Sequence, residues 1–204
     1  MEAVIKGHLH VCDYLITEEN ANLEVVDNNQ RTALILAAIF NKTEIVKLLL
    51  RHNANIEARD DEQSTALIYA ACWNNTELLK ILLQHNANIM AQNNRGCHAA
   101  YFAANNGHLE ALKILVEKDG AVIDLRGWNG ETPLIAASRL GMADVCEYLV
   151  EEKNANIELR DCVGKTAFQR AEDPTIILLL SNINENHSLL ESQLTRFYKR
   201  RKIL

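Results

Sequence analysis

Asn53-Ala54-Asn55 recurs as Asn20-Ala21-Asn22, Asn86-Ala87-Asn88 and Asn154-Ala155-Asn156, at steps of 33, 33 and 68 residues, the last being twice 34. The copy this arithmetic requires between the last two is the degenerate Gly120-Ala121-Val122. A second marker keeps register with the first: Thr32-Ala33-Leu34, Thr65-Ala66-Leu67, His98-Ala99-Ala100, Thr132-Pro133-Leu134 and Thr166-Ala167-Phe168. Each is followed by an Ala-rich turn and then an apolar segment such as Glu44-Ile45-Val46-Lys47-Leu48-Leu49-Leu50. Self-similarity at this period marks a repeat array, in which a unit buries its apolar face only against its neighbours.

Each marker has a physical task. Thr at the start of a first helix accepts a backbone N–H as an N-cap, and the small pair Ala37-Ala38 lets the next unit approach closely. In the second helix Ile45, Leu48 and Leu49 stand at i, i+3 and i+4, one apolar stripe facing the stack. Asn20, Asn53, Asn86 and Asn154, or Gly120, fall where the helix must stop in a left-handed residue. His52 and His85 precede that stop, where a cationic ring complements the helix dipole. No single helix is long enough to be stable alone, so stability must come from stacking.

The sequence resembles the ankyrin-repeat family, whose Thr-Pro-Leu-His-x-Ala signature is approached most nearly by Thr132-Pro133-Leu134-Ile135-Ala136-Ala137. Asn106-Gly107-His108-Leu109-Glu110 resembles the family's link between paired helices. The resemblance implies an all-α solenoid of helix pairs with short β-hairpin loops. The expected units are a partial first repeat (1–26), four full repeats (27–59, 60–92, 93–126, 127–160), a shortened closing repeat (161–181) and a basic helical tail (182–204). The partial first unit reads as an atypical cap or as the inside of a longer array. The family's signature His is replaced by Ile35, Ile68, Tyr101 and Ile135, which predicts apolar packing in place of a hydrogen-bond network. His98 and Ala100 depart from Thr and Leu, making repeat three the expected weak seam. Glu24, Glu57, Met90, Asp124 and Glu158 stand where family members carry a hydroxylated Asn, so that modification is not expected.

Composition agrees with a helical, globular chain: of 204 residues 48% are hydrophobic, 24% charged and only 5% aromatic. Five cysteines at 12, 72, 97, 146 and 162 have no Cys-x-x-Cys and no regular spacing, which reads as reduced thiols in a cytosolic compartment. Neither a cleavable signal nor an apolar run of membrane-spanning length is visible, so no membrane span is expected. The net charge of −6 hides an asymmetry, because Arg196 to Leu204 holds five bases and no acid. An acidic body disfavours nucleic acid as a partner. Lys199-Arg200-Arg201-Lys202 admits nuclear import or association with an anionic surface beside the plain reading of a solvated helix end.

The resemblance implies that hairpin tips and the exposed side of each first helix line a concave groove that binds a protein partner. The tip positions are Asn28, Asn29 and Arg31; Asp61, Glu62 and Ser64; Asn94, Arg95 and Cys97; Trp128, Asn129 and Glu131. The helix positions are Leu36, Ile39 and Phe40; Tyr69, Cys72 and Trp73; Phe102, Asn105 and Asn106; Ala136, Arg139 and Leu140. In a chain so poor in aromatics, Phe40, Tyr69, Trp73, Phe102 and Trp128 beside Arg31, Arg95, Arg139 and Leu140 form a candidate hot-spot patch. Tyr69 and Phe102 have an alternative reading as core between first helices.

No catalytic constellation is proposed from the sequence. Cys97-His98 lacks an orienting group and an oxyanion site, and both residues fall on repeat positions. His8-x-His10 and His108 do not make a metal site, Glu18-Glu19 and Glu151-Glu152 read as solvated charge, and no phosphate loop follows a strand. The expected protein is thus a monomeric, non-catalytic adaptor with no cofactor, metal or small-molecule substrate. A secreted pathogen effector or the targeting arm of a larger protein is the alternative.

Overall fold

The computed structural model describes residues 1–119 and 123–183. Gly120-Ala121-Val122 and the basic tail lie outside the described residues. The helices, in order, are α1 (Glu2–Lys6), α2 (Leu9–Thr17), α3 (Ala33–Ile39), α4 (Thr43–Arg51), α5 (Ala66–Cys72) and α6 (Thr76–Gln84). They continue with α7 (Ala99–Asn105), α8 (Leu109–Lys118), α9 (Pro133–Arg139), α10 (Ala143–Glu147, extended by a wider turn over Tyr148–Glu152), α11 (Ala167–Arg170) and α12 (174–183). Odd-numbered helices α1 to α11 pack one on the next, as do α2, α4, α6 and α8. Helices α1, α3, α5, α7 and α9 also pack on their even partners.

The Ala pairs carry the close approach of the odd row: Ala37, Ala38, Ala70, Ala71, Ala103, Ala104, Ala136 and Ala137 are all fully buried. Larger side chains fill the space between rows, with Leu34, Ile45, Leu49, Leu79, Leu82, Leu112 and Leu115 essentially inaccessible. Burying each such side chain contributes roughly 1.5–3 kcal/mol. Thr32 and Thr132 cap α3 and α9 by accepting from the N–H of Ile35 and Ile135, and Thr166 forms a capping box with Gln169 on α11. Thr65 has the same extended backbone, but its buried hydroxyl finds no partner.

The expected left-handed stops are present at Asn20, Asn53, Asn86 and Asn154, with φ of 50°, 61°, 61° and 54°. Beyond each stop lies a device that the sequence reading did not anticipate. Asn55 closes a turn on itself, its Oδ1 accepting from the N–H of Glu57 at 3.0 Å, while its own N–H donates to Oε1 of Glu24 in the previous unit at 2.8 Å. Asn88 repeats this with Met90 and Glu57 (2.7 Å), and Asn156 with Glu158 and Asp124 (3.1 Å). Three of the acids standing where a modified Asn occurs elsewhere, Glu24, Glu57 and Asp124, are inter-unit staples, and Met90 interrupts the series for want of a carboxylate. Arg59 and Arg126 add a second staple, each donating to two carbonyls of the repeat that follows, Gln63 and Gln92 for Arg59 and Gly130 and Arg160 for Arg126. Replacing Glu57 by Ala is expected to lower stability by about 1 kcal/mol, read as a lower urea midpoint with unchanged slope.

The hairpin loops are tight turns, and no β-strand occurs among the described residues. The second tip is typical: Asp60 N–H donates to Ser64 O at 3.2 Å and Gln63 N–H to Asp60 O at 2.9 Å, too short a ladder to extend. Asp27, Asp60, Asn93 and Asp161 each use Oδ1 to accept from tip N–H groups. Neighbouring tips join through Asp61 N–H to Asn29 O (3.0 Å), Asn94 to Glu62 (2.9 Å) and Cys162 to Asn129 (2.8 Å).

The seam between repeats three and four differs from the others, though not by the loosening expected. There Trp128 N–H donates to Cys97 Sγ at 3.2 Å. His98 is fully buried and takes over the work of Thr: Nδ1 accepts from the Tyr101 N–H at 3.3 Å, capping α7. Its Nε2, which then carries the proton, donates to Leu125 O at 3.3 Å and ties α7 to the next loop. The position of Tyr101 was expected to be purely apolar, as Ile35, Ile68 and Ile135 are. Its ring is buried, but its hydroxyl donates to Oε2 of buried Glu131 at 3.1 Å.

Candidate functional site

The residue after the last helical turn of each first helix occupies an equivalent place in every repeat: Phe40, Trp73, Asn106 and Leu140. Its backbone is held fast, the N–H groups of Phe40 and Trp73 donating to Leu36 O and Tyr69 O at 3.0 Å each. A left-handed residue follows (Asn41, Asn74, Gly107, Gly141), reversing the chain and turning the preceding side chain outward. Trp73 is 59% exposed, Phe40 43% and Leu140 41%, against near-zero exposure for most apolar side chains of the same helices. Asn106 breaks the row by turning back onto the previous repeat, where Nδ2 donates to Cys72 O at 3.1 Å.

The tips add Trp128, 48% exposed, and Val163, 69% exposed, which the sequence reading passed over although no other repeat places an aliphatic residue at that tip position. Three expected tip residues, Ser64, Cys97 and Glu131, are buried, as are Leu36 and Ala136 on the helices. Their side chains serve the turns and the stack, which leaves them off the surface.

The polar residues of this face are largely engaged within the molecule. Arg31 donates to Asp27 Oδ2 through Nε at 2.9 Å. Burial works against the Asp27 carboxylate, but the Arg31 hydrogen bonds outweigh it and hold the carboxyl below its ordinary 3.8. Arg139 meets Glu131 with Nε to Oε1 at 2.9 Å and Nη2 to Oε2 at 3.1 Å, and Nη2 also reaches Asn105 Oδ1 at 3.3 Å. The bidentate bond to Glu131 raises the Arg139 pKa, so its charge is permanent. Arg170 on Asp161 repeats the pattern in the closing unit. Tyr69 is half-buried with its hydroxyl on Asp60 Oδ2 at 2.5 Å, and burial together with that carboxylate pushes its pKa up. Phe102 packs edge-on against Tyr101, ring centroids 5.9 Å apart. Arg95 is exposed beside Glu62, a pair at 3.5 Å that contributes little in water.

Of the nine sequence-derived contact residues, Phe40, Trp73, Trp128 and Leu140 are exposed apolar side chains, Arg95 is exposed beside Glu62, and Arg31, Tyr69, Phe102 and Arg139 are partly buried. Cys97 and His98 face different partners, and burial raises the Cys97 thiol pKa. Among the described residues, no three His, Cys, Asp or Glu side chains converge as metal ligands would, and no helix is long and apolar enough to cross a membrane.

A family model described as ankyrin repeats, in three copies, matches residues 1–93 and 90–161. The chain belongs to the ankyrin-repeat family. No curated protein matches it. Ankyrin repeats are in general modules for binding other proteins and are typically non-catalytic. In this ankyrin stack the side chains of Asp27, Asp60, Asn93 and Asp161 are taken up by the tip turns, whereas the rings of Phe40, Trp73 and Trp128 are exposed.

Proposed function

We propose that the chain is a non-catalytic adaptor whose protein partner seats on the tips and first-helix ends, with Trp73 at the centre of the contact, Phe40, Leu140 and Trp128 around it, and Arg31, Arg95 and Arg139 at the rim. The observation that carries this is Trp73, a large ring 59% exposed on a backbone fixed by hydrogen bonds. A side chain so placed loses little conformational entropy on contact, and Trp and Arg supply most of the energy at interface centres. Tyr69 and Phe102 contribute by holding the surface rather than by projecting from it. The engaged Cys97 and His98 support the non-catalytic reading, since neither has the other as base or nucleophile.

Trp73→Ala is expected to leave the melting temperature within a degree or two of wild type while weakening capture of the partner by roughly 30-fold, the equivalent of about 2 kcal/mol. Affinity purification with wild type, Trp73→Ala and a Trp73→Ala/Trp128→Ala double variant reads the second effect. Unchanged capture by the double variant sinks the proposal. The basic run Lys199-Arg200-Arg201-Lys202 supports a second role in nuclear import, for which replacement of all four by Ser is expected to redistribute the protein out of the nucleus.

A further inference from the structure

The hairpin tips do not all present the same chemistry. The first carries Asn28 and Asn29, the second Asp61 and Glu62, and the third Asn94 and Arg95, every one of them polar. At the fourth and fifth, Trp128 and Val163 are exposed instead. The Cys162 N–H, donating to Asn129 O at 2.8 Å, joins these two tips into one ridge.

An exposed arginine lies across each of them. Arg126 Nη1 donates to Gly130 O at 3.0 Å and also to Arg160 O, and Arg160 Nη1 donates to Gly164 O at 2.9 Å. Lys165 is exposed at the end of the same ridge. The acids of the two tips do not offset these charges, because Glu131 and Asp161 are buried and each is held by an arginine of its own first helix, Arg139 and Arg170. Among the described residues Arg126, Arg160 and Lys165 form no ion pair, and each of the two arginines engages only Nη1 of its planar fork. Arg59 stands in the same place at the second tip, but Asp61 and Glu62 are there beside it.

Stacking a further repeat does not close such a ridge. Trp128 is exposed although the next repeat follows it, and so are Glu62 and Arg95 at earlier tips.

We infer that this ridge takes an acidic segment of the protein partner, an apolar side chain seating against Trp128 and Val163 while carboxylates on either side of it meet Arg126, Arg160 and Lys165. The inference rests on the reading of the tips as a protein-binding surface. A guanidinium matches a carboxylate with two parallel N–H bonds, and apolar contact beside the pair excludes water from it, so ring and charge reinforce each other. Nucleic acid fits less well: three cations make a small footprint, and the net charge of −6 repels a polyanion at long range.

The test uses the whole chain and two short fluorescein-labelled peptides, a Leu flanked by Glu residues and the same peptide with Gln for every Glu, read by anisotropy. Wild type is expected to bind the Glu peptide about tenfold more tightly than the Gln peptide, with the difference lost at high salt. Arg126→Gln/Arg160→Gln is expected to abolish the preference. Because Arg126 also ties two repeats together, Lys165→Glu is the companion variant. Its side chain makes no hydrogen bond among the described residues, so it is expected to shrink the preference with an unchanged melting transition. Equal binding of the two peptides, a preference that either variant keeps in full, or tighter binding of a single-stranded oligonucleotide of the same charge overturns the inference. The adaptor reading fails separately, through unchanged capture of the partner by Trp73→Ala/Trp128→Ala.

Discussion

Lowering the pH from 7 to 4 is expected to remove about 3 kcal/mol of stability through His98 alone. The ring is fully buried and its pKa is pushed down to about 4, first by burial, against the opposing hydrogen bond to Leu125. Its ordinary value is 6.5, so between 6.5 and 4 the unfolded chain takes up a proton that the folded chain refuses. Stability from this group is complete above 6.5, declines as pH falls through that window and levels off below about 4. The carboxyls of Asp27 and Asp161, held below 3.8 chiefly by hydrogen bonds from Arg31 and from the Lys165 N–H and Arg170 against the cost of burial, act the same way only at still lower pH. The two windows are therefore separable. Urea titrations at half-unit pH intervals measure the slope, and His98→Leu should abolish it between 6.5 and 4. The same variant should cost about 2–4 kcal/mol at pH 7, because the Tyr101 N–H and the Leu125 carbonyl lose their partner together. A wild-type stability that is flat from pH 6.5 to 4 refutes the assignment.

Gly127→Ala is expected to destabilise by about 2–3 kcal/mol, well above the usual effect of adding one methyl group at a loop. The backbone there is not left-handed, so the effect is steric. A Cβ at this position would lie 2.6 Å from Cδ2 and 2.8 Å from Cγ of Tyr101. That ring cannot step aside cheaply: it is buried, its hydroxyl is held by Glu131, and Glu131 is held by Arg139. Combining Gly127→Ala with Tyr101→Ile, the residue type of three other repeats at this place, should recover part of the loss. A double variant no better than the sum of its two single variants speaks against the clash.

Much of this was legible in the sequence because it is written within single repeats. Thr32, Thr132 and Thr166 cap where their register says they should, and Asn20, Asn53, Asn86 and Asn154 stop helices in the conformation that Asn tolerates. What escaped depends on pairs of repeats. His98 read as a lost Thr because a type substitution says nothing of where a ring nitrogen sits, yet Nδ1 reaches the same N–H that a Thr oxygen would. The Tyr101–Glu131–Arg139 network joins residues 30 and 8 apart and leaves no local signature. The Glu24 and Glu57 staples did leave one, in the recurring Asn-x-Glu, and were visible only as the absence of an Asn. Among the aromatics, sequence position left Tyr69 and Phe102 open between core and surface, and the structure has them half-buried beside exposed Trp73 and Trp128. Two hydroxyl and ring contacts supplied by neighbouring elements make that difference.

The altered seam between repeats three and four also bears on how such an array can grow. Repeat 60–92 meets its neighbours through the common fittings, a backbone bond at either tip and a carboxylate staple from Glu57 of the repeat before it. A duplicate of it inserted beside the original would find both tip sockets already cut and lack only the carboxylate that Met90 does not supply. Repeats 93–126 and 127–160 are keyed to each other instead, Cys97 to Trp128, Tyr101 to Gly127 and Glu131, and Asn105 to Arg139. Copying or deleting either one alone would leave these partners unmatched, so the smallest self-consistent unit in this part of the chain is two repeats long.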